Sequence, residues 1–166
     1  MSPIDWATRP LKKYADFSGR APRAEYWWYA LLVSSTVLIA YILDDLLSLP
    51  KLFTVYGPVA LVVVAATFIP SLAAQVRRLH DTNRSGLWLI PFWVAYVAYI
   101  VSAAGSMAAI KAGQQPDMGA LGISLVLGLL MLVIAITMLV FLVSRGTVGP
   151  NKYGDDPYAS GASSAM

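Results

Sequence analysis

Four long apolar stretches dominate the pattern of hydrophobic and polar positions along this chain of 166 residues. None of them contains Asp, Glu, Lys, Arg or His, and they run approximately over Tyr26–Leu43, Phe53–Val76, Leu87–Ile110 and Gly119–Val143. A helix needs about 20 residues to cross the hydrocarbon core of a bilayer. The pattern therefore predicts an all-α integral membrane protein, an antiparallel four-helix transmembrane bundle formed by a single domain over residues 1–158.

The residues at the two ends of the chain follow different patterns. Residues 1–25 are amphiphilic, with apolar side chains at helical spacing and charged side chains on the other faces. Pro10 is expected to interrupt a continuous helix. One or two short helices lying in the membrane interface are therefore expected over residues 1–25, and a flexible tail is expected over residues 159–166.

A proline lies well inside the second apolar stretch. Pro70 removes one backbone hydrogen bond and should kink the helix near Thr67–Pro70 unless neighbouring groups repair the backbone. Beyond Pro70, the helical pattern continues to His80 and carries Arg77 and Arg78 out of the membrane. A short polar turn then links the second and third helices into a tight antiparallel hairpin.

The basic residues are distributed very unevenly between the connecting segments. Of the 12 Lys and Arg residues, only Lys51 and Lys111 lie in the first and third loops, and the other ten lie in the N-terminal segment, the second loop and the tail. Cytoplasmic loops carry an excess of Lys and Arg. The asymmetry predicts that both termini are cytoplasmic and that the second loop lies on the same side.

Composition excludes several classes of protein. A hydrophobic fraction of 58% with only 13% charged residues is too apolar for an ordinary soluble domain. Cysteine is absent from the sequence, which excludes disulfides, thiolate metal sites and a cysteine nucleophile. The basic residues are scattered at helix ends without a recognisable binding module, so no nucleic-acid partner is expected.

Three polar segments lie on the predicted cytoplasmic side and carry ordered motifs. They read FSGRAPRAEYWW from Phe17, RRLHDTNRSG from Arg77 and GTVGPNKYGDDP from Gly146. In these three segments the chain resembles the YhaH-type bacterial inner-membrane family, a domain-of-unknown-function family. The resemblance covers nearly the whole chain and implies a multi-pass protein of the bacterial inner (plasma) membrane with four spans. It implies no reaction.

The three segments together predict a polar cap on the cytoplasmic side, and two interpretations of it stay open. The candidate residues are Arg20, Arg23, Glu25, Trp27, Arg77, Arg78, His80, Asp81, Arg84, Asn151, Tyr153 and Asp155. In one interpretation they form a structural ion-pair network, in which Arg77 and Asp81 share a helix face and Arg78 competes for Asp81. In the other, the five arginines line a pocket for an anionic headgroup, a phosphate or a peptide.

Catalytic and metal sites are weaker hypotheses for the same residues. His80, the only histidine, lies beside Asp81 and could act as a general base, but a polar interfacial histidine is more often simply hydrogen-bonded. Asn151, Asp155 and Asp156 offer oxygen atoms to a divalent cation, yet their spacing fits no calcium loop and such stretches are usually turns. We therefore expect no catalytic residue, metal or cofactor.

The sequence leads to a non-enzymatic inner-membrane protein whose basic-aromatic cap binds anionic lipid headgroups or a cytoplasmic protein partner. The alternative is a small oligomeric transporter or permeation unit, and a homo-oligomer is compatible with either function. Coupled transporters place ionisable groups within the membrane. The four apolar stretches have none, which argues against proton coupling.

Overall fold

The computed structural model describes residues 1–52, 56–115 and 117–159, which form five α-helices. These are α1 (Pro3–Lys12), α2 (Arg23–Leu46), α3 (Pro58–Asp81), α4 (Leu89–Lys111) and α5 (Met118–Val143), with a 3-10 turn at Gly86–Trp88 before α4. Within the described ranges there is no β-strand, only an isolated bridge between Asn151 and Gly154. Four helices are long and apolar enough to cross a membrane, which confirms the all-α class and the number of spans.

The described residues form two compact units. One comprises Met1–Arg84 together with the segment from Arg145 onward, and the other comprises Ser85–Ser144. The predicted start of the second span at Phe53 and residues 160–166 of the predicted tail lie outside the described residues. The single domain over residues 1–158 and the cytoplasmic location of both termini stay predictions.

The first helix is capped at its start and is not interrupted by its internal proline. The Asp5 backbone N–H donates to Ser2 Oγ at 3.2 Å and the Ser2 backbone N–H donates to the Asp5 carboxylate at 2.8 Å, which is a capping box. Pro10 lies inside α1, so the predicted interruption is wrong. Near the end of a short helix, proline removes only one backbone bond. Its ring and Ala7 are buried where α1 packs against α2 and α3.

α2 runs further than its apolar stretch and caps the start of α3. Asp44 follows the apolar stretch that ends at Leu43, yet it lies in the last turns of α2 and is fully buried. Its carboxylate accepts the backbone N–H groups of Val59 and Ala60 at 3.0 and 2.9 Å. A negative charge at a helix N-terminus satisfies donors that have no intrahelical partner. Glycine at position 57 leaves space for this contact, because a Cβ atom there would overlap the Asp44 carboxylate.

α3 continues through its internal proline, and the hydroxyls of two tyrosines donate hydrogen bonds to backbone carbonyls in the turn before it. Pro70 has no N–H, so the Ala66 carbonyl loses its intrahelical donor. The Tyr14 hydroxyl donates to that carbonyl at 2.8 Å. The Tyr29 hydroxyl donates to the Thr67 carbonyl at 3.4 Å and thereby holds the same turn from α2. Neighbouring groups thus repair the backbone at the predicted kink.

In the second unit, α4 and α5 pack closely where the small residues concentrate. The hydroxyls of Ser102 and Ser124 are 2.7 Å apart and join the end of α4 to the start of α5. A Cβ atom at Gly128 would lie 3.3 Å from the Tyr99 ring, so this glycine permits the close approach of the two helices.

Candidate functional site

The cap predicted from the sequence lies entirely within the first unit, where three chain segments meet. The Ala21 backbone N–H donates to the Arg77 carbonyl at 3.0 Å, which joins the segment before α2 to the end of α3. The Thr147 backbone N–H donates to the Asp81 carbonyl at 2.8 Å, which joins the segment after α5 to the same end. The three motif-bearing segments are therefore neighbours in the structure.

A buried ion pair between Glu25 and Arg77 forms one half of the cap. Their closest charged atoms are 3.2 Å apart and both residues are at most 1% exposed. Arg9 adds a second, partly exposed guanidinium 3.5 Å from Glu25. Arg77 also donates to the backbone carbonyls of Lys13, at 3.3 Å, and Asp16. Burying two charges is costly unless their hydrogen bonds are replaced in full, and these contacts tie the N-terminal segment to α2 and α3.

Asp81 is the centre of the other half. One carboxylate oxygen accepts from Arg20 Nε at 3.0 Å and the other accepts from Arg78. The remaining Arg20 nitrogens donate to the carbonyls of Thr147, at 2.5 Å, and Gly149, at 2.6 Å. A single arginine thus links the N-terminal segment, the end of α3 and the segment after α5.

The structure has one of the two pairings with Asp81 that the sequence left open on α3. Arg78 pairs with Asp81, which also pairs with Arg20, whereas Arg77 pairs with Glu25. Helical side chains tilt toward the N-terminus of their helix. Arg77 therefore extends away from Asp81, whereas Asp81 leans back toward Arg78.

His80, Asn151 and Tyr153 form a small cluster on the same surface. The His80 and Tyr153 rings stack with centroids 3.8 Å apart and an interplanar angle of 4°. His80 Nδ1 lies 3.2 Å from the Gly19 carbonyl, which can only accept, so this nitrogen carries the proton. Asn151 donates to the His80 carbonyl at 3.0 Å. These contacts give His80 a structural role.

The remaining candidates lie at the edge of the cap. Arg23 and Asp155 are exposed, Trp27 is 40% exposed, and Arg84 donates to the Thr82 carbonyl at 3.2 Å. Within the described ranges, no group of three or more His, Cys, Asp or Glu side chains could hold a metal ion. The buried network therefore involves only part of the predicted set.

Asp156, which the sequence analysis left out of the candidate cap, orders the segment after α5. Its carboxylate accepts the backbone N–H groups of Tyr158 and Gly149, both at 2.9 Å, and these two hydrogen bonds lower the pKa of Asp156 below its ordinary value. The sequence signal was an aspartate two residues before an accessible N–H, as in an Asx turn.

A basic pocket of about 380 Å³ opens beside the Arg20–Asp81 pair. Its lining includes Arg20, Arg23, Asp81, Arg145, Asp156 and Tyr158. Arg23 and Arg145 are exposed and neither forms an ion pair with another residue of the described ranges. Arg145 was not a candidate, although it lies two residues after the last apolar stretch. The volume lies within the range of small-ligand sites.

Comparison with known proteins places this architecture among membrane proteins without an assigned activity. Residues 14–155 match the family described as protein of unknown function DUF805. The chain is 32% identical to the inner membrane protein YhaI of Escherichia coli strain K12, over 93% of this chain and 96% of that protein. It is 28% identical to the inner membrane protein YhaH of the same strain, over 93% and 97%. No solved structure matches the chain.

Proposed function

Because this chain belongs to the DUF805 family, whose function is unknown, we propose a function from its own geometry. It is a non-enzymatic, multi-pass inner-membrane protein whose basic pocket binds a phosphate-bearing anion. The relatives named as inner membrane proteins and the four membrane-length helices support the location. The distribution of Lys and Arg supports a cytoplasmic pocket with both termini on the same side.

The proposal rests on two exposed arginines, Arg23 and Arg145, which line this pocket and form no ion pair within the described ranges. Three arginines and two carboxylates line it, and one of those carboxylates, Asp81, is also paired with Arg78 behind the lining. The pocket therefore has an excess of positive charge. Guanidinium groups match phosphate geometry with two parallel hydrogen bonds, so Arg23 and Arg145 are suited to grip a phosphate from opposite segments.

The buried arginines have a different role, so fewer arginines remain to bind a ligand than the sequence suggested. Arg77 and Arg78 are 0% exposed and already hydrogen-bonded inside the cap, so they build the scaffold. Arg20 lines the pocket, but its side chain already donates hydrogen bonds to Asp81 and to backbone carbonyls. Ligand binding is thus assigned to Arg23 and Arg145. The alternative of an oligomeric transporter rests on no contact described above and stays a sequence prediction.

The test measures binding of sn-glycerol 3-phosphate to the purified protein in detergent at physiological salt. We expect the double variant R23Q/R145Q to weaken binding by roughly tenfold or more for each lost charge-assisted contact. The matched control K12Q/K13Q removes the same charge at the C-terminal end of α1 from two residues that do not line the pocket, and it should bind as the wild type does. Equal loss in both double variants would mean general electrostatic attraction, and the pocket proposal would be rejected.

Orientation is tested separately by labelling single cysteines from each side of the membrane. A cysteine at position 152 and one at position 51 should react with a membrane-impermeant reagent from opposite sides. Labelling of both positions from the same side would contradict the cytoplasmic placement of the cap.

A further inference from the structure

A second cavity, of about 580 Å³, lies between α2 and α3. We call it the tyrosine groove because four of its lining residues are tyrosines, of which Tyr26 matters most here. The other lining residues used below are Val33, Val37, Leu38, Val64 and Gln75. It belongs to the same compact unit as the basic pocket. None of its lining residues is an Asp, Glu, Lys, Arg or His, so it is not a second anion site.

The basic pocket and the tyrosine groove are adjacent along one side of α2. Arg23 lines the pocket and Tyr26, three residues later, lines the groove. Residues three or four apart are neighbours on a helix surface. A ligand longer than a phosphate could therefore extend from the pocket along the groove.

The chemistry along this face changes in the order that a phospholipid presents. The pocket offers arginines. The end of the groove nearest the pocket offers the Tyr26 hydroxyl and the Gln75 amide, which can donate to ester carbonyls. The remainder offers valine and leucine side chains together with tyrosine and serine hydroxyls. Several of these hydroxyls are bonded within the helix pair, as Tyr29 is to Ser71 and Ser34 to the Ala30 carbonyl. From Tyr26 to Leu38 the helix rises about 18 Å at its usual 1.5 Å per residue, close to the ~15 Å depth of one hydrocarbon leaflet.

We propose that the tyrosine groove holds an acyl chain of an anionic phospholipid whose phosphate occupies the basic pocket, an inference that rests on the proposed function. A soluble phosphate would use the pocket alone. Lipid tails are as apolar as leucine, so the groove gains no hydrophobic drive inside a bilayer. Its contribution is shape: the chain must fit between α2 and α3 for the headgroup to reach Arg23 and Arg145.

The experiment compares two probes on the full chain, dioleoyl phosphatidylglycerol by native mass spectrometry from detergent and sn-glycerol 3-phosphate in solution. The variant V37W fills the groove, and I39W places the same ring on the same helix at an exposed position outside the lining. We expect V37W to lose bound lipid down to the level of R23Q/R145Q while it retains glycerol phosphate binding. I39W should keep both.

A second measurement avoids dependence on a substituted core. Phosphatidylglycerol with a photoreactive group in the middle of its acyl chain should label wild-type peptides that contain Val33–Leu38 more strongly than peptides of α5. Even labelling of both helices, or wild-type lipid retention by V37W, overturns the groove assignment and leaves the pocket proposal intact. Loss of neither probe in R23Q/R145Q overturns the proposed function itself.

Discussion

Replacing Arg77 with methionine is the sharpest test of how the cap holds the fold together. The substitution keeps an unbranched side chain but leaves the Glu25 carboxylate, which is 1% exposed, with only the partly exposed Arg9 as a charged partner. It also removes the donor to the carbonyls of Lys13 and Asp16. Removing one member of a buried ion pair costs about 3–5 kcal/mol. We expect R77M to lower the free energy of unfolding by that amount.

The double variant R77M/E25L separates the uncompensated charge from the lost contacts. With both charges gone, the penalty for an unpaired buried carboxylate disappears, and replacing a whole pair is often close to neutral. The Asp16 carbonyl still loses its donor, which costs about 1–3 kcal/mol, whereas the Lys13 carbonyl keeps the Asp16 backbone N–H at 3.2 Å. We therefore expect the double variant to be less stable than the wild type but more stable than R77M.

The assay is reversible unfolding in mixed micelles of a mild detergent and SDS, followed by circular dichroism. The exposed pair between Lys13 and Asp16, 3.6 Å apart, provides the comparison, since K13Q should cost less than about 1 kcal/mol. An R77M protein as stable as K13Q would refute the reasoning. So would a double variant less stable than R77M, because the cost would then not come from the unpaired charge.

Three further predictions concern other contacts of the first unit. Y14F should destabilise by about 1–3 kcal/mol because a carbonyl beside Pro70 loses its donor, and P70A should suppress this loss by restoring the backbone N–H; equal losses in both backgrounds, measured by unfolding in SDS, would contradict it. D44A should cost about 1 kcal/mol through the lost cap on α3, while D45A, at an exposed residue, should cost less; similar unfolding midpoints would contradict it. The lowered pKa of Asp156 means that its contribution to the order of residues 149–158 is fully present above the ordinary aspartate pKa and is lost as pH falls through the lower folded value. In D156N, the amide NMR shifts of Gly149 and Tyr158 should lose this acid transition.

The helices could be predicted because their signal is local. Length, lack of charge and apolar composition are properties of each stretch alone, and bilayer thickness turns them into a count of spans. The positions of the polar segments were likewise readable, since motifs and basic residues collect at the same ends of the helices. The all-α class and the meeting of three segments in one cap follow from this information.

Apart from the Arg78–Asp81 pair, the ion pairs within the cap could not be predicted because their members lie far apart in sequence. Whether Arg77 turns to Asp81 or to Glu25 depends on the tilt of its side chain and on what α2 places nearby. The Tyr14 hydroxyl donates to the Ala66 carbonyl, 52 residues further along the chain, and no local sequence pattern around Tyr14 predicts this contact. The lack of a side chain at Gly57 gained meaning only once the Asp44 carboxylate was seen beside it.

The chain-spanning contacts of Arg20 have a consequence for synthesis. Arg20 leaves the ribosome early, yet its acceptors on Thr147 and Gly149 are made 127 and 129 residues later. Until translation passes that point, two nitrogens of Arg20 lack their final acceptors, and the Asp81 carbonyl lacks the backbone N–H of Thr147. The cap therefore closes only after the segment that follows α5 has been synthesised, and a chain truncated before Arg145 would leave Arg20 without the carbonyls of Thr147 and Gly149.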